Sequence, residues 1–212
     1  MPISLDTSLP PSLYPLAWLI GSWEGSGALS GADGTAAGSR DVRIEQQLVC
    51  TAREDGALDW RSTIHRVDAP APLPPTSAFA REEAQAPPAG SGERTLLHRE
   101  DGIWTVGDLV PGQDRAAAAA ARPGTPESVL SHQLDARFSR RGEPEEQWAG
   151  EVRGPRVQLA LASPDGEIAA TRMFGYISGR LMWLWERRTP VADGAPGETA
   201  LSPYLSVEMH RV

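Results

Sequence analysis

The chain has 212 residues, 40% of them hydrophobic, and a net charge of −8, with arginine supplying every basic side chain. This length and apolar content predict one globular domain that buries a core of its own. The negative charge argues against binding to nucleic-acid phosphates or an anionic membrane surface. No apolar run approaches the roughly 20 residues of a membrane-spanning helix.

The N-terminal region carries the only segment that predicts a helix. In "SLYPLAWLI" (12–20), Leu13, Leu16, Ala17 and Ile20 fall on one face, as a turn or two of helix capping one end of the fold would require. The residues before it lack the basic start of a secretory signal, which favours a cytoplasmic location. The single cysteine, Cys50, excludes an intramolecular disulfide and is typical of a small buried side chain.

The helical segment runs into a glycine-rich motif of the form GxWxGxG. Its defining residues are Gly21, Trp23, Gly25 and Gly27. A dinucleotide-binding turn has the spacing GxGxxG, and Trp23 would obstruct a pyrophosphate, so that function is excluded. In the first strand of a barrel, these glycines would permit tight coiling and close backbone approach while the tryptophan plugs the floor.

From residue 42 onward the chain alternates apolar and polar side chains. Ten segments show this pattern: 42–49, 59–67, 94–100, 103–110, 129–138, 146–152, 156–162, 167–177, 180–188 and 204–212. Turn signals such as "REDGI", "RGPR" and "ISGR" separate them. The fold predicted is all-β, an antiparallel up-and-down β-barrel of about ten strands with a short N-terminal helical cap.

Two stretches interrupt this single barrel domain, which spans 1–212. Residues 68–93 are rich in proline and alanine and predict a flexible insertion between neighbouring strands. Residues 111–128 include an alanine run that has helical propensity but no apolar stripe to bury. Neither stretch is expected to carry chemistry.

Four motifs in order resemble the nitrobindins, which belong to the fatty-acid-binding-protein-like barrels. "PLAWLIGSWEGSG" is similar to their GxWxGxG signature, and "LLHREDGIWTV" (96–106) to their His-x-Glu-x-Gly-aromatic hairpin. "ATRMFGYISGRLMWLWERRT" (170–189) resembles their late hairpin. "ALSPYLSVEMHRV" (200–212) is similar to their closing segment, Leu-x-Pro-His-Leu followed by apolar alternation. The resemblance runs from about Ser12 to the C-terminus.

The resemblance implies a barrel that holds ferric haem at its mouth through an axial histidine, binds nitric oxide and isomerises peroxynitrite to nitrate. By the same resemblance, the axial position is occupied here by Tyr204, in "SPYL". Ferric iron accepts tyrosinate, but a phenol titrates near pH 10, so ionising it at pH 7 costs about 4 kcal/mol. The alternative is an ordinary barrel tyrosine with a packed ring and a hydrogen-bonded hydroxyl.

Other pocket candidates are a histidine and two tryptophans. By resemblance, His98 occupies the distal side of the pocket, opposite Tyr204. Trp183 and Trp185 share one face of their strand, where they either fill the core or wall a flat hydrophobic ligand. His210 follows Tyr204 by six residues, so period two predicts the same face, some 20 Å along the strand. No metal is expected unless Tyr204 holds haem iron, because no histidine pair or carboxylate cluster has metal-site spacing.

Catalytic residues cannot be assigned from the sequence. There is no GxSxG motif, and Cys50 has no local partner that would lower its thiol pKa. Glu100 and Asp101 are adjacent in the predicted hairpin "REDGI", where they point to opposite faces or form the turn, so they are not an acid/base pair and turn chemistry accounts for them.

The leading hypothesis is a nitrobindin-like barrel that binds a small hydrophobic or planar ligand and lacks the family's ordinary haem attachment and peroxynitrite isomerase activity. One alternative is a haem enzyme, carrying haem b, that uses Tyr204 or His98 as the iron ligand and converts peroxynitrite. Another is an interaction module with a filled, ligandless interior. The sequence is compatible with either a monomer or a homodimer.

Overall fold

A closed antiparallel barrel of ten strands dominates the structure, a computed structural model that describes residues 9–30, 41–70, 90–191, 195 and 197–212. The strands are β1 (Gly21–Leu29), β2 (Val42–Ala52), β3 (Leu58–Pro70), β4 (Arg94–Leu109), β5 (Ser131–Arg140), β6 (Glu146–Arg153), β7 (Arg156–Ala162), β8 (Ile168–Ile177), β9 (Arg180–Pro190) and β10 (Thr199–Arg211). Sequential strands pair, and β1 also pairs with β10, which closes the barrel. The predicted fold class is confirmed.

Alternation along each strand divides the side chains between the interior and the outer surface. In β9, Leu181, Trp183 and Trp185 are buried, whereas Met182 between them is 36% exposed. The predicted "ISGR" turn is a two-residue hairpin between β8 and β9. Its central residues, Ser178 (φ 52°) and Gly179 (φ 84°), have the positive φ angles that a tight hairpin requires.

One end of the barrel is sealed by the N-terminal segment, and we call it the closed end. A six-residue 3-10 helix, Pro11–Leu16, buries Leu13 and Leu16 completely, so the predicted cap is a short one. Trp23, at the start of β1, is also fully buried, and its indole Nε1 donates a hydrogen bond to the carbonyl oxygen of Leu19 at 2.9 Å. The guanidinium of Arg211 lies 4.5 Å from the Trp23 ring centroid.

Two glycines of the GxWxGxG motif lie where β1 and β10 approach each other closely. A Cβ atom on Gly25 would stand 2.0 Å from the carbonyl oxygen of Glu208, and one on Gly27 would stand 1.8 Å from that of Ser206. No side chain fits at such distances, so the close approach of these strands requires glycine at both positions.

Aromatic side chains fill the middle of the barrel. Trp60 stacks on Trp104 with ring centroids 5.0 Å apart, and Phe174 stacks on Trp183 at 5.3 Å. Trp183 also donates a hydrogen bond from Nε1 to Gln46 Oε1 at 2.8 Å, in a fully buried polar contact. Aromatic pairs of this kind contribute about 0.5–1.5 kcal/mol each beyond their burial.

The structure corrects the predicted boundary between two strands. Residues 94–100 and 103–110 were expected to be separate strands joined by the turn "REDGI", but β4 is continuous through that sequence. Asp101 and Gly102 pair with both β3 and β5. A Cβ atom on Gly102 would stand 2.8 Å from Phe138 Cδ1, so the glycine makes room for an aromatic ring inside the barrel and does not form a turn.

The two predicted insertions contain some regular structure. Asp68–Pro70 extends β3, and residues 71–89 of the first insertion lie outside the described residues. The second insertion contains helix α1 (Arg115–Ala120), capped by the Asp114 side chain, and a 3-10 turn, Pro126–Ser128. None of the helices in the described ranges is long and apolar enough to cross a membrane.

Candidate functional site

The end of the barrel opposite the 3-10 helix carries a cluster of polar, charged and aromatic side chains, which we call the charged end. Strands β4, β5, β8, β9 and β10 contribute its members, which are linked by ring contacts and ion pairs: His98, Glu100, Arg140, Arg172, Trp185, Arg187 and Tyr204. This cluster lies above the aromatic middle of the barrel, because Trp185 is next to Trp183 on the inward face of β9.

An irregularity in β10 determines where Tyr204 lies. The register between β10 and β9 shifts between Pro203 and Leu205, which is a β-bulge. Strict alternation with the buried Leu205 would turn Tyr204 outward, but its ring meets the buried Trp185 edge-on with centroids 5.0 Å apart. The prediction that His210 shares a face with Tyr204 is therefore wrong, because His210 is exposed on the outside of the strand.

Trp185 connects the two residues that the sequence proposed as iron ligands. Its ring also meets the imidazole of His98 edge-on, with centroids 6.0 Å apart. The Trp185 side chain is 2% exposed, and its indole Nε1 has no hydrogen-bond partner among the described residues. His98, Trp185 and Tyr204 thus come together at one end of the barrel, whereas Trp183 lies deeper, stacked on Phe174.

Burial changes the protonation of His98. Desolvation lowers the pKa of its imidazole below the ordinary 6.5. The negative charge of Glu100 opposes this change, and Arg172, Arg140 and Arg187 reinforce it. The imidazole is therefore neutral at pH 7 and keeps one nitrogen lone pair.

A fully buried ion pair lies beneath His98. The Arg172 guanidinium donates two hydrogen bonds to Glu100, from Nη1 to Oε1 at 2.7 Å and from Nη2 to Oε2 at 2.8 Å. Desolvation works against the charged form of Glu100, but the attraction and hydrogen bonds of Arg172, together with the attraction of Arg140, outweigh it and lower the carboxyl pKa. The pair is ionised at neutral pH and has the bidentate geometry that gives the strongest arginine–carboxylate contacts.

Aromatic rings enclose the cation of this pair. The Arg172 guanidinium carbon lies 4.2 Å from the ring centroid of Phe138, 4.6 Å from that of Trp148 and 4.2 Å from that of Trp185. Its Nε has no hydrogen-bond partner among the described residues. Of the two placements predicted for Glu100 and Asp101, the turn is wrong and opposite faces of a strand are confirmed, because the Glu100 carboxylate faces inward and compensates a cation while Asp101 is exposed.

Arg187 is the outermost cation of the cluster and differs from the other two arginines. Its guanidinium carbon lies 3.8 Å from the ring centroid of Tyr204 and 4.3 Å from that of Trp185. Within the described ranges, no carboxylate comes within ion-pair distance of it. Desolvation lowers the pKa of Arg187, with Tyr204 acting in the opposite direction. This half-buried cation lies on two aromatic rings, and Glu146 attracts it from beyond ion-pair distance.

The sequence reasoning missed Glu100, Arg140, Arg172 and Arg187. A signal for the last two was present, because Arg172 stands between Ala170 and Phe174 in the alternating pattern and Arg187 follows Trp185 by two residues. Such positions face inward, and a charged side chain there requires a partner. No sequence rule identifies that partner, since Glu100 lies 72 positions away from Arg172.

A concavity of about 1240 Å³ is lined mainly by residues of β1, β2, β8, β9 and β10. Its lining includes Glu24, Arg43, Glu208 and His210 but none of the charged-end residues. Among the described residues, no group of three or more histidine, cysteine, aspartate or glutamate side chains could hold a metal ion. We take the charged end as the candidate ligand site because it brings together three residues that the sequence predicted for the pocket, His98, Trp185 and Tyr204.

A barrel with one sealed end and a polar cluster at the other has the architecture of a small-ligand-binding β-barrel. Residues 12–211 match the model of the "THAP4-like, heme-binding beta-barrel domain" family. The chain belongs to this haem-binding family of nitrobindin-like barrels, as the sequence motifs predicted.

Relatives of similar length support the assignment. The chain is 29% identical to the peroxynitrite isomerase of Leifsonia xyli subsp. xyli over 87% of this chain and 89% of the relative. It is 30% identical to the ferric nitrobindin-like protein of Beutenbergia cavernae over 86% of this chain and 89% of the relative. The crystal structure of Rv2717c from M. tuberculosis shares the fold, with a TM-score of 0.56, 18% identity and coverage of 97% and 99% of the two chains.

Proposed function

We propose that this chain is a small-ligand-binding barrel of the nitrobindin family that lacks histidine-ligated haem and the peroxynitrite isomerase activity that depends on it. The observation that carries the proposal is the environment of Tyr204, at the position where the resemblance puts the axial ligand. The Arg187 guanidinium carbon lies 3.8 Å from the centroid of the Tyr204 ring, and Trp185 meets the same ring edge-on at 5.0 Å.

This packing does not fit an iron porphyrin bound through Tyr204. A porphyrin is a broad, flat, largely apolar group, and one ligated by the phenol would need the space beside that ring. The guanidinium of Arg187 and the indole of Trp185 fill this space. Placing the porphyrin there would require the cation to leave both aromatic faces.

His98 is no better placed as the ligand. Its neutral imidazole is a suitable donor, but Trp185 contacts it at 6.0 Å between ring centroids. Desolvation disfavours a charge at His98, and Arg172, Arg140 and Arg187 act in the same direction, whereas Glu100 acts in the opposite one. Ferric haem iron brings positive charge, so the desolvated surroundings of His98 oppose its binding there.

A haemin titration followed by absorbance tests this proposal, using the wild type, Tyr204→Phe and Tyr204→His. We expect the wild type and Tyr204→Phe to take up haemin weakly and without a defined stoichiometry. Tyr204→His restores an imidazole at the position implied by the resemblance and removes the phenol ring that holds Arg187 in the space a porphyrin needs, so we expect it to develop a defined Soret band.

The matched control is Tyr14→His, because Tyr14 is 45% exposed on the N-terminal 3-10 helix, far from the charged end in the fold. It should behave like the wild type. Saturable one-to-one haemin binding by the wild type, with a tyrosinate charge-transfer band that disappears in Tyr204→Phe, would overturn the proposal and leave the haem enzyme as the function.

A further inference from the structure

We propose that Arg187 is the residue that sets the specificity of the charged end against porphyrins. Its guanidinium covers Trp185 and opposes a porphyrin there even after an imidazole replaces the phenol of Tyr204. The inference rests on the proposed function, in which the chain lacks histidine-ligated haem, and it adds a second cause for that lack to the missing imidazole.

Two of the three arginines at the charged end are fixed by ion pairs. Arg172 donates two hydrogen bonds to the buried Glu100, and Arg140 pairs with Glu143 at 3.1 Å and also with Glu146. Removing either arginine would leave a carboxylate without its partner, and a buried carboxylate in that state is costly. These two cations therefore belong to the structural framework of the barrel.

Arg187 is held in place in a different way. Its guanidinium carbon lies 3.8 Å from the ring centroid of Tyr204 and 4.3 Å from that of Trp185. Glu146 attracts it from beyond ion-pair distance. Contacts with two rings therefore determine where this cation lies, and its removal breaks no ion pair in the part of the chain that the structure describes.

Arg187 covers the side of Trp185 that is nearer to solvent. The Arg172 side chain, whose guanidinium carbon lies 4.2 Å from the centroid of the same ring, is 0% exposed, whereas Arg187 is half-buried. Trp185 itself is only 2% exposed. A porphyrin that approaches Trp185 from solvent therefore meets Arg187 before it meets the indole.

Arg187 opposes haem binding for two physical reasons. The guanidinium would have to leave an aromatic face in a half-buried site, where a cation–π contact is worth more than at an exposed one. Ferric iron would also bring positive charge close to this cation. Tyr204→His removes only one of the two rings beside Arg187, so its contact with Trp185 still competes with haemin in that variant.

The test is a haemin titration, followed by absorbance, in which Tyr204→His is compared with the double variant Tyr204→His/Arg187→Ala. We expect the double variant to bind haemin about tenfold more tightly, because the lost cation–π contact no longer competes with the porphyrin. Tyr204→His/Arg187→Lys keeps a cation that also contacts aromatic faces, so its affinity should stay closer to that of Tyr204→His.

The matched control is Arg180→Ala in the same Tyr204→His background. Arg180 is on the same strand, its side chain is 62% exposed, and it pairs with Glu208 on the outer surface. This substitution should leave haemin affinity unchanged. Thermal unfolding of each variant establishes that the comparison is made on folded protein.

A second measurement needs no haemin. Acrylamide quenching of tryptophan fluorescence should increase in Arg187→Ala relative to the wild type, because the indole of Trp185 loses its cover on the solvent side. Arg180→Ala should be quenched like the wild type. Unchanged quenching in Arg187→Ala would show that the guanidinium does not shield Trp185 and would contradict the inference.

The haemin titration also has outcomes that would overturn the inference. Equal affinity in Tyr204→His and the double variant, or no binding by either, would show that Arg187 is not the obstacle. Weaker binding by the double variant would show that the guanidinium assists haem, as a partner of its propionates would. None of these outcomes affects the proposal about histidine-ligated haem, which depends on the wild type and Tyr204→Phe.

Discussion

The two ends of the barrel are built by the same strands and are stabilised in different ways. At the closed end, Leu13, Leu16 and Trp23 are fully buried, and the indole N–H groups of Trp18 and Trp23 donate hydrogen bonds to backbone carbonyls. At the charged end, the inward positions carry the buried pair of Glu100 and Arg172. Apolar burial is the main source of stability in folding, so the closed end is where stability is concentrated.

The buried charges of the other end require a different explanation. An ion pair taken out of water often contributes no more stability than an apolar pair of the same volume, because desolvation offsets the attraction. The charged end therefore gains little stability from Glu100 and Arg172 compared with what leucine or methionine would provide. What the pair supplies is a polar, charge-compensated contact inside the barrel, with the Arg172 guanidinium carbon 4.2 Å from the ring centroid of Trp185.

The largest loss of stability is expected from a substitution in the aromatic middle of the barrel, close to the closed end. Trp60→Ala removes a ring that stacks on Trp104 at 5.0 Å and leaves a cavity among Phe138, Phe174 and Trp183. We expect the free energy of unfolding to fall by about 3–5 kcal/mol in urea titrations. A loss of about 1 kcal/mol or less would contradict this ranking.

A smaller loss of stability is expected from Glu100→Gln. The substitution leaves Arg172, whose side chain is 0% exposed, without its carboxylate, although the amide oxygen still accepts one hydrogen bond. We expect a loss of about 3 kcal/mol in the same urea titrations, because an uncompensated buried charge is costly. Asp101→Asn is the control, since its contact with Arg61 is exposed on the outer surface and contributes about 1 kcal/mol or less.

A double substitution that removes both buried charges separates the effect of charge on stability from the effect of packing. In Glu100→Leu combined with Arg172→Met, we expect most of the stability lost in Glu100→Gln to return, because an apolar pair replaces the ionic one. Persistence of the full loss in the double variant would show that the ion pair stabilises the fold and would remove the contrast between the two ends.

The smallest effect is a change in the pH dependence of stability. Desolvation lowers the pKa of His98 below 6.5, so the unfolded state binds protons more readily and the free energy of unfolding falls as the pH drops below about 6.5. The pKa of Glu100 is lowered from 4.5, because the attraction of Arg172 and neighbouring positive charges outweighs the opposing desolvation, so a further loss begins below about pH 4.5.

Urea titrations between pH 8 and about pH 3 measure both losses. His98→Asn should weaken the first loss and preserve the second. His210→Asn, which changes an exposed histidine of β10, should follow the wild-type curve. If the free energy of unfolding had the same pH dependence in the wild type and in His98→Asn between pH 6.5 and pH 5, the assignment of the first loss to His98 would be contradicted.

Much of the fold could be predicted from local patterns. Alternation identified nearly every strand, and "ISGR" identified the hairpin between β8 and β9. The turn predicted at "REDGI" was wrong because Asp101 and Gly102 have turn propensity in isolation, whereas pairing with strands on both sides keeps them extended. Turn propensity is a local quantity, and strand pairing on both sides outweighed it at Asp101 and Gly102.

The site was predicted only in part. His98, Trp185 and Tyr204 were selected by resemblance and lie together in the structure. Arg187 was not selected, because an arginine near the end of a strand is usually solvated, and its position over two rings depends on strand pairing.

By itself, the sequence determined the alternation that builds a closed antiparallel barrel, the glycines where β1 meets β10, and the family to which the chain belongs. Tertiary structure alone decided that Glu100 faces Arg172 and that the bulge after Pro203 turns Tyr204 toward Trp185. The physical reason is the distance along the chain over which each interaction acts. Alternation and glycine spacing act between neighbouring residues, whereas the partners of a buried charge are set by the closure of the barrel across distant parts of the chain.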